Sequence, residues 1–237
     1  MKKAVFTIVK DEDYYLSIWL KHYSKFFDKD DIYILNNGRK LDLDYNIIEV
    51  KSEYSFDVTF LLKVVQDFQC KLLESYKLVL FAECDEIIYP KYGSYENHIL
   101  DNISIKCVGY DVLHAKDEMA INWELFPLLS QRKWWVKNTR LNKQLLTTIP
   151  LKYDPGFHRA TPEARINNDL MLIHLRRIDY NYTLSRLQIR MAWKRPPGQI
   201  SSTVHQWHSN NFNKFDAWFY GGFDNKELIP EELKHVC

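Results

Sequence analysis

In its N-terminal part the chain alternates short apolar runs with longer segments whose apolar residues recur at helical spacing. This alternation limits the fold more than any other feature. Ala4–Val9, Asp31–Leu35, Asn46–Val50 and Lys77–Phe81 have strand length. Between them, Leu16, Trp19, Leu20, Tyr23, Phe26 and Phe27 mark one helix face across Glu12–Phe27. Val58, Leu61, Leu62, Val65, Phe68 and Leu72 mark a second, with Asp57 placed to cap it. The pattern predicts an α/β fold with a mainly parallel central sheet and helices on both faces. Such sheets bind ligands beyond the carboxyl ends of their strands.

The C-terminal portion is less regular. Ser104–Val112 and Asp169–His174 read as strands, and Tyr182–Trp193 as a helix that Arg195-Pro196-Pro197-Gly198 ends. Gln131–Ile149 mixes Trp134 and Trp135 with basic residues and fits neither period. On a strand only one of the two tryptophans would face the core. No repeat or linker interrupts residues 1–237, so one domain is expected.

Charge and composition exclude several functions. A hydrophobic fraction of 46% with 27% charged residues is that of a globular chain. The net charge of +1 argues against a nucleic-acid protein held by phosphate neutralisation. The seven glycines show neither G-x-G-x-x-G nor P-loop spacing. The near-neutral total conceals a split, with 15 bases and 22 acids in residues 1–130 and 17 bases and 9 acids in residues 131–237. Either the charges solvate the surface, or an acidic wall faces a basic one across a cleft. Ala4–Val9 is too short for a signal-peptide core, and no uncharged apolar run approaches the ~20 residues of a membrane span. Four cysteines without a C-x-x-C pair suggest reduced thiols, and a cytoplasmic location is expected.

The strand Lys77–Phe81 runs into Glu83, Asp85 and Glu86. In an extended chain residues 83 and 85 project to one side. Two carboxylates there would hold a hard divalent cation, Mg²⁺ or Mn²⁺, with phosphate oxygens completing the shell. A solvated corner is the alternative.

Several segments in order resemble the family 2-like glycosyltransferases. They are Val9-Lys10-Asp11-Glu12 with Tyr15-Leu16 and Trp19-Leu20-Lys21-His22-Tyr23, then Ile32–Asn37, then Phe81–Ile87. The last resembles the family's D-x-D-E motif, with Glu83 at the first acidic position. Pro127–Arg132, Asn142–Leu146, Gly156–Arg159 and Ile173–Asp179 resemble later blocks, so the similarity runs over roughly residues 4–190. The resemblance implies a GT-A fold, with a nucleotide- and metal-binding part over 1–103 and an acceptor-binding part over 104–237. It implies metal-dependent transfer, inverting, from a UDP- or GDP-linked sugar to a hydroxyl of a glycan or other acceptor. Glu83 and Asp85 would be metal ligands, with His174 or His158 as a further one. Asp11, Asn36 and Lys63 would contact the nucleotide, and Lys143, Arg176 and Arg177 the diphosphate. Glu118, then Asp111, would be the general base. The alternatives are a metal-dependent nucleotidyltransferase or phosphohydrolase, and a non-catalytic carbohydrate-binding module on the same fold.

Overall fold

The computed structural model describes residues 1–12, 14–99, 103–199 and 211–237. Among the described residues there are twelve strands: β1 Lys3–Val9, β2 Ile32–Asn36, β3 Asn46–Glu49, β4 Leu78–Phe81, β5 Glu86–Pro90, β6 Ser104–Leu113, β7 Trp134–Lys137, β8 Gln144–Thr147, β9 Lys152–Tyr153, β10 Ala160–Thr161, β11 Arg165–His174 and β12 Glu227–Leu228. Four α-helices are described: α1 Tyr14–Tyr23, α2 Val58–Leu73, α3 Tyr180–Met191 and α4 Phe212–Phe219. The chain divides into two compact units. The first holds Met1–Lys51, Val58–Tyr110 and Asn138–His174; the second holds Ser52–Asp57, Asp111–Lys137 and Leu175–Cys237.

The class is α/β, and the sheet is mixed. In the first unit β4, β1, β2 and β3 lie side by side and parallel. β8 then pairs antiparallel with both β4 and β6, and β5 pairs antiparallel with β11. β1, β2 and β4 carry the largely apolar runs because they are covered on both faces, whereas the outer strand β3 is half-buried. On one face Phe6 of β1 meets Phe68 of α2, with ring centroids 5.3 Å apart, and Phe81 of β4 at 5.0 Å. Alternate residues of a strand point to opposite faces. Lys3 accordingly reaches the other side, over the Phe27 ring that follows α1 and to Glu96 at 2.7 Å.

Helix α1 serves β5 directly. One edge of β5 pairs with β11, and side chains cover the other. Tyr23 Oη accepts from Ile88 N at 2.9 Å and donates to Glu86 O at 3.3 Å. Tyr95 Oη donates to Ile88 O at 2.5 Å, and His22 Nε2 lies 3.0 Å from the same oxygen. These rings satisfy backbone groups that an unpaired edge would leave open. Burial drives the His22 pKa down to about 3, so its imidazole is neutral.

Boundaries shift where local chemistry overrides periodicity. The first helix starts at Tyr14 and ends at Tyr23, short of Phe26 and Phe27. Asp13, inside the expected helix, lies outside the described residues. Lys29–Asp31 forms a 3-10 turn, so β2 starts at Ile32. The undecided Gln131–Ile149 stretch resolves into β7, a turn and β8. The strand expected at Asp169 begins at Arg165, and the helix expected at Tyr182 begins at Tyr180.

In the second unit β7 pairs antiparallel with β12. Trp135 is buried while Lys226 Nζ sits 4.8 Å over the Trp134 ring, so the two tryptophans do face opposite ways. Asp179 caps α3 by accepting from Tyr182 N at 2.8 Å. Leu187, Phe215 and Phe219 form a small core with Tyr180, Leu184 and Trp218.

Candidate active site

The parallel register fixes where the first unit collects its polar groups. Val9 pairs with Asn36, and Phe6 with Phe81, so β1, β2 and β4 release their chains at one edge of the sheet. Asp11, Asn36 and the acidic run after Phe81 all follow from that edge.

The acidic run is a turn and not an extended strand, which corrects the same-side reading of residues 83 and 85. Glu86 N donates to Glu83 O at 2.9 Å and closes it. Chain reversal then sends β5 off beside β11, where His174 pairs with Glu86. That register delivers the imidazole to the turn, with His174 Nε2 4.0 Å from Asp85 Oδ2.

Lys143 enters from the segment before β8. Its Nζ is 2.5 Å from Glu83 Oε2 and 2.5 Å from Glu86 Oε1, and its side chain is 3% exposed. Burial alone would lower the Lys143 pKa, but the two carboxylates more than reverse that and raise it. Burial raises the Glu86 pKa against the pull of Lys143. The lysine expected on the diphosphate is therefore engaged by carboxylates.

His158 stands in the loop after β9. Its Nδ1 donates to Arg140 O at 2.8 Å, which leaves the Nε2 lone pair as the available acceptor. Burial, then Lys143, lower its pKa. Among the described residues no three His, Cys, Asp or Glu side chains are set to hold a metal ion. Lys143 engages Glu83, and the Arg140 carbonyl orients the His158 ring. Asp85 and His174 bring a carboxylate oxygen and an imidazole nitrogen, two metal-ligating atom types, within 4.0 Å of each other.

The nucleotide candidates organise a loop. Asp11, at φ +52°, accepts from Arg39 N at 2.9 Å through Oδ1. Asn36 Nδ2 donates to Arg39 O and to Glu49 Oε1, both at 2.9 Å, and its Oδ1 accepts from Gly38 N at 3.1 Å. A Cβ on Gly38 would lie 2.7 Å from Asp11 N, so only glycine lets the two segments meet. Lys63 is on the exposed side of α2, paired with Asp67 one turn on.

The remaining candidates belong to the second unit. Glu118 is committed to backbone: Oε2 accepts from Ala115 N and Oε1 from Lys133 N, each at 2.8 Å. It borders a cavity of about 330 Å³ with Arg132 and Met119. Asp111 is buried and raises the pKa of Arg177, which burial lowers overall. Arg177 Nε donates to Phe219 O at 2.8 Å, and Nη2 to Gly221 O at 2.5 Å. Arg176 stacks over Trp218, 4.9 Å from the ring centroid.

The sequence reading missed the Lys143–Glu86 contact, for which nothing local in either segment is a signal. It also missed the support that His22, Tyr23 and Tyr95 give to β5. Comparison with protein-family models and with curated proteins finds no match to this chain.

Proposed function

We propose that this protein is a glycosyltransferase that takes its sugar from a nucleoside-diphosphate donor with a divalent cation, Mn²⁺ or Mg²⁺, in the first unit. A single observation carries the reading. The Glu83–Glu86 turn at the carboxyl edge of β4 meets His174 of β11 through the pairing of Glu86 with His174. Asp85 and His174 would hold the cation. When bound, it supplies Lewis-acid neutralisation of the charge that develops on the leaving diphosphate. The chain's own residues prepare the rest. Asp11 and Asn36 fix the Asn36–Arg39 loop that would border the nucleotide. Tyr23 and Tyr95 pin the β5 edge from which Glu86 and Asp85 are presented. Both Glu118 oxygens accept from backbone N–H groups, which fixes the orientation of its carboxylate.

The test is a panel of UDP- and GDP-linked sugars assayed for Mn²⁺-dependent sugar release and transfer, with wild type beside Asp85→Ala. Free sugar or glycoside as product, lost in the variant, supports the proposal. Inorganic phosphate or a nucleoside monophosphate as first product would instead indicate a phosphohydrolase.

A further inference from the structure

We infer that Lys143 is a resident competitor of the divalent cation, so that tight cation binding waits for the diphosphate. This rests on the proposed metal site at Asp85 and His174. The Lys143 ammonium lies at 2.5 Å from Glu83 and from Glu86. The two carboxylates differ in what they can do. Glu86 is 1% exposed and anchored at the head of β5, whereas the Glu83 side chain is 37% exposed and has room to turn. Glu83 is thus the acid that a cation would recruit, and Lys143 is what it must be taken from.

The backbone that carries the lysine is held in place. Cys107 N donates to Lys143 O at 2.8 Å, and Lys143 N donates to Leu141 O at 2.7 Å. Asn142 Oδ1 accepts from Gly109 N at 3.0 Å. A Cβ on Gly109 would lie 2.6 Å from the Leu141 carbonyl carbon, so the turn carrying Lys143 rests directly on β6 backbone. A fixed positive charge beside the turn repels a divalent cation and holds one ligand back. A diphosphate brings the negative charge and oxygens that compensate for both. Lys143 is therefore a positioning residue whose effect is to couple cation binding to nucleotide binding.

The test uses the full chain, with Mn²⁺ binding followed by calorimetry and by the EPR signal of free Mn²⁺, without and with UDP or GDP. Wild type should bind Mn²⁺ weakly alone and markedly tighter with nucleotide. Lys143→Met should bind Mn²⁺ alone about tenfold tighter, because Glu83 is released and a neighbouring positive charge is gone. The dependence on nucleotide should shrink accordingly. Removing Lys143 also strands a buried Glu86, so a second variant, Lys143→Met with Glu86→Gln, guards against failure to fold. It frees Glu83 without changing the summed charge, and should still bind Mn²⁺ severalfold tighter than wild type. Affinity no higher than wild type in either folded variant overturns the inference. Sugar transfer is read separately: its absence from the donor panel would remove the glycosyltransferase reading and leave the Mn²⁺ result standing.

Discussion

The two units use buried charge in opposite ways. In the first, Glu83, Asp85, Glu86, Lys143 and His174 come from three places in the chain and converge on one turn. In the second, Glu118, Arg132, Arg177 and Asp179 are engaged largely by backbone groups. Arg132 donates to Ile178 O at 2.6 Å, Gln131 O at 2.8 Å and Met119 O at 3.0 Å. Asp179 caps α3 and accepts from Ile121 N at 2.9 Å. A charge satisfied by carbonyl groups holds loops together, and a charge satisfied by other charges keeps something to exchange with a ligand. The basic excess after residue 130 is therefore partly architectural.

Substitutions can break that contrast, and the largest effect belongs to the second unit. Arg132→Ala would orphan three carbonyls and leave Glu118 and Asp179, at 4.0 and 3.8 Å, without a cation. Chemical denaturation should show a loss of about 3–5 kcal/mol. A near-neutral result would mean these charges are as exchangeable as those of the first unit. Gly109→Ala comes next. Pushing Leu141 away should cost about 1–3 kcal/mol by overpacking. It should also disturb the Mn²⁺ response, because the displaced turn carries Lys143.

His22 gives a pH dependence that is intermediate in size over any one pH unit. Its folded pKa, about 3, lies below the unfolded value near 6.5, so the unfolded chain binds the proton first. The stability it allows is complete above pH 6.5 and falls by about 1.4 kcal/mol per pH unit as pH drops toward 3. Denaturation curves at stepped pH should show this slope, and His22→Gln should lack it. The smallest effect is at Lys63, whose exposed pair with Asp67 should change stability by less than about 0.5 kcal/mol on Lys63→Ala. A substantial loss of nucleotide binding in that variant would return Lys63 to the site.

Much of the first unit's fold is legible in the sequence. β1, β2 and β4 are covered on both faces and read as unbroken apolar runs. β5 is not legible, because it opens on the buried acid Glu86 and its free edge is covered by tyrosine and histidine rings. α4 spans only Phe212–Phe219, too short for its spacing to stand out. At the site, Glu83, Asp85 and His174 are legible as candidates, yet the geometry among them is not. A turn where an extended chain was expected sends Glu83 to Lys143 and leaves Asp85 beside His174. In the second unit Glu118 and Arg177 are chemically apt types, but Ala115 N and Lys133 N engage the one and the Phe219 and Gly221 carbonyls the other.

The central claim is that the Glu83–Glu86 turn binds a nucleoside diphosphate through a divalent cation. The most direct measurement is thermal unfolding of wild type and Asp85→Ala with UDP or GDP, with and without Mn²⁺. The wild type should melt higher only when nucleotide and Mn²⁺ are both present, and Asp85→Ala should lose that rise. Melting that is the same with and without Mn²⁺ for both nucleotides would contradict it.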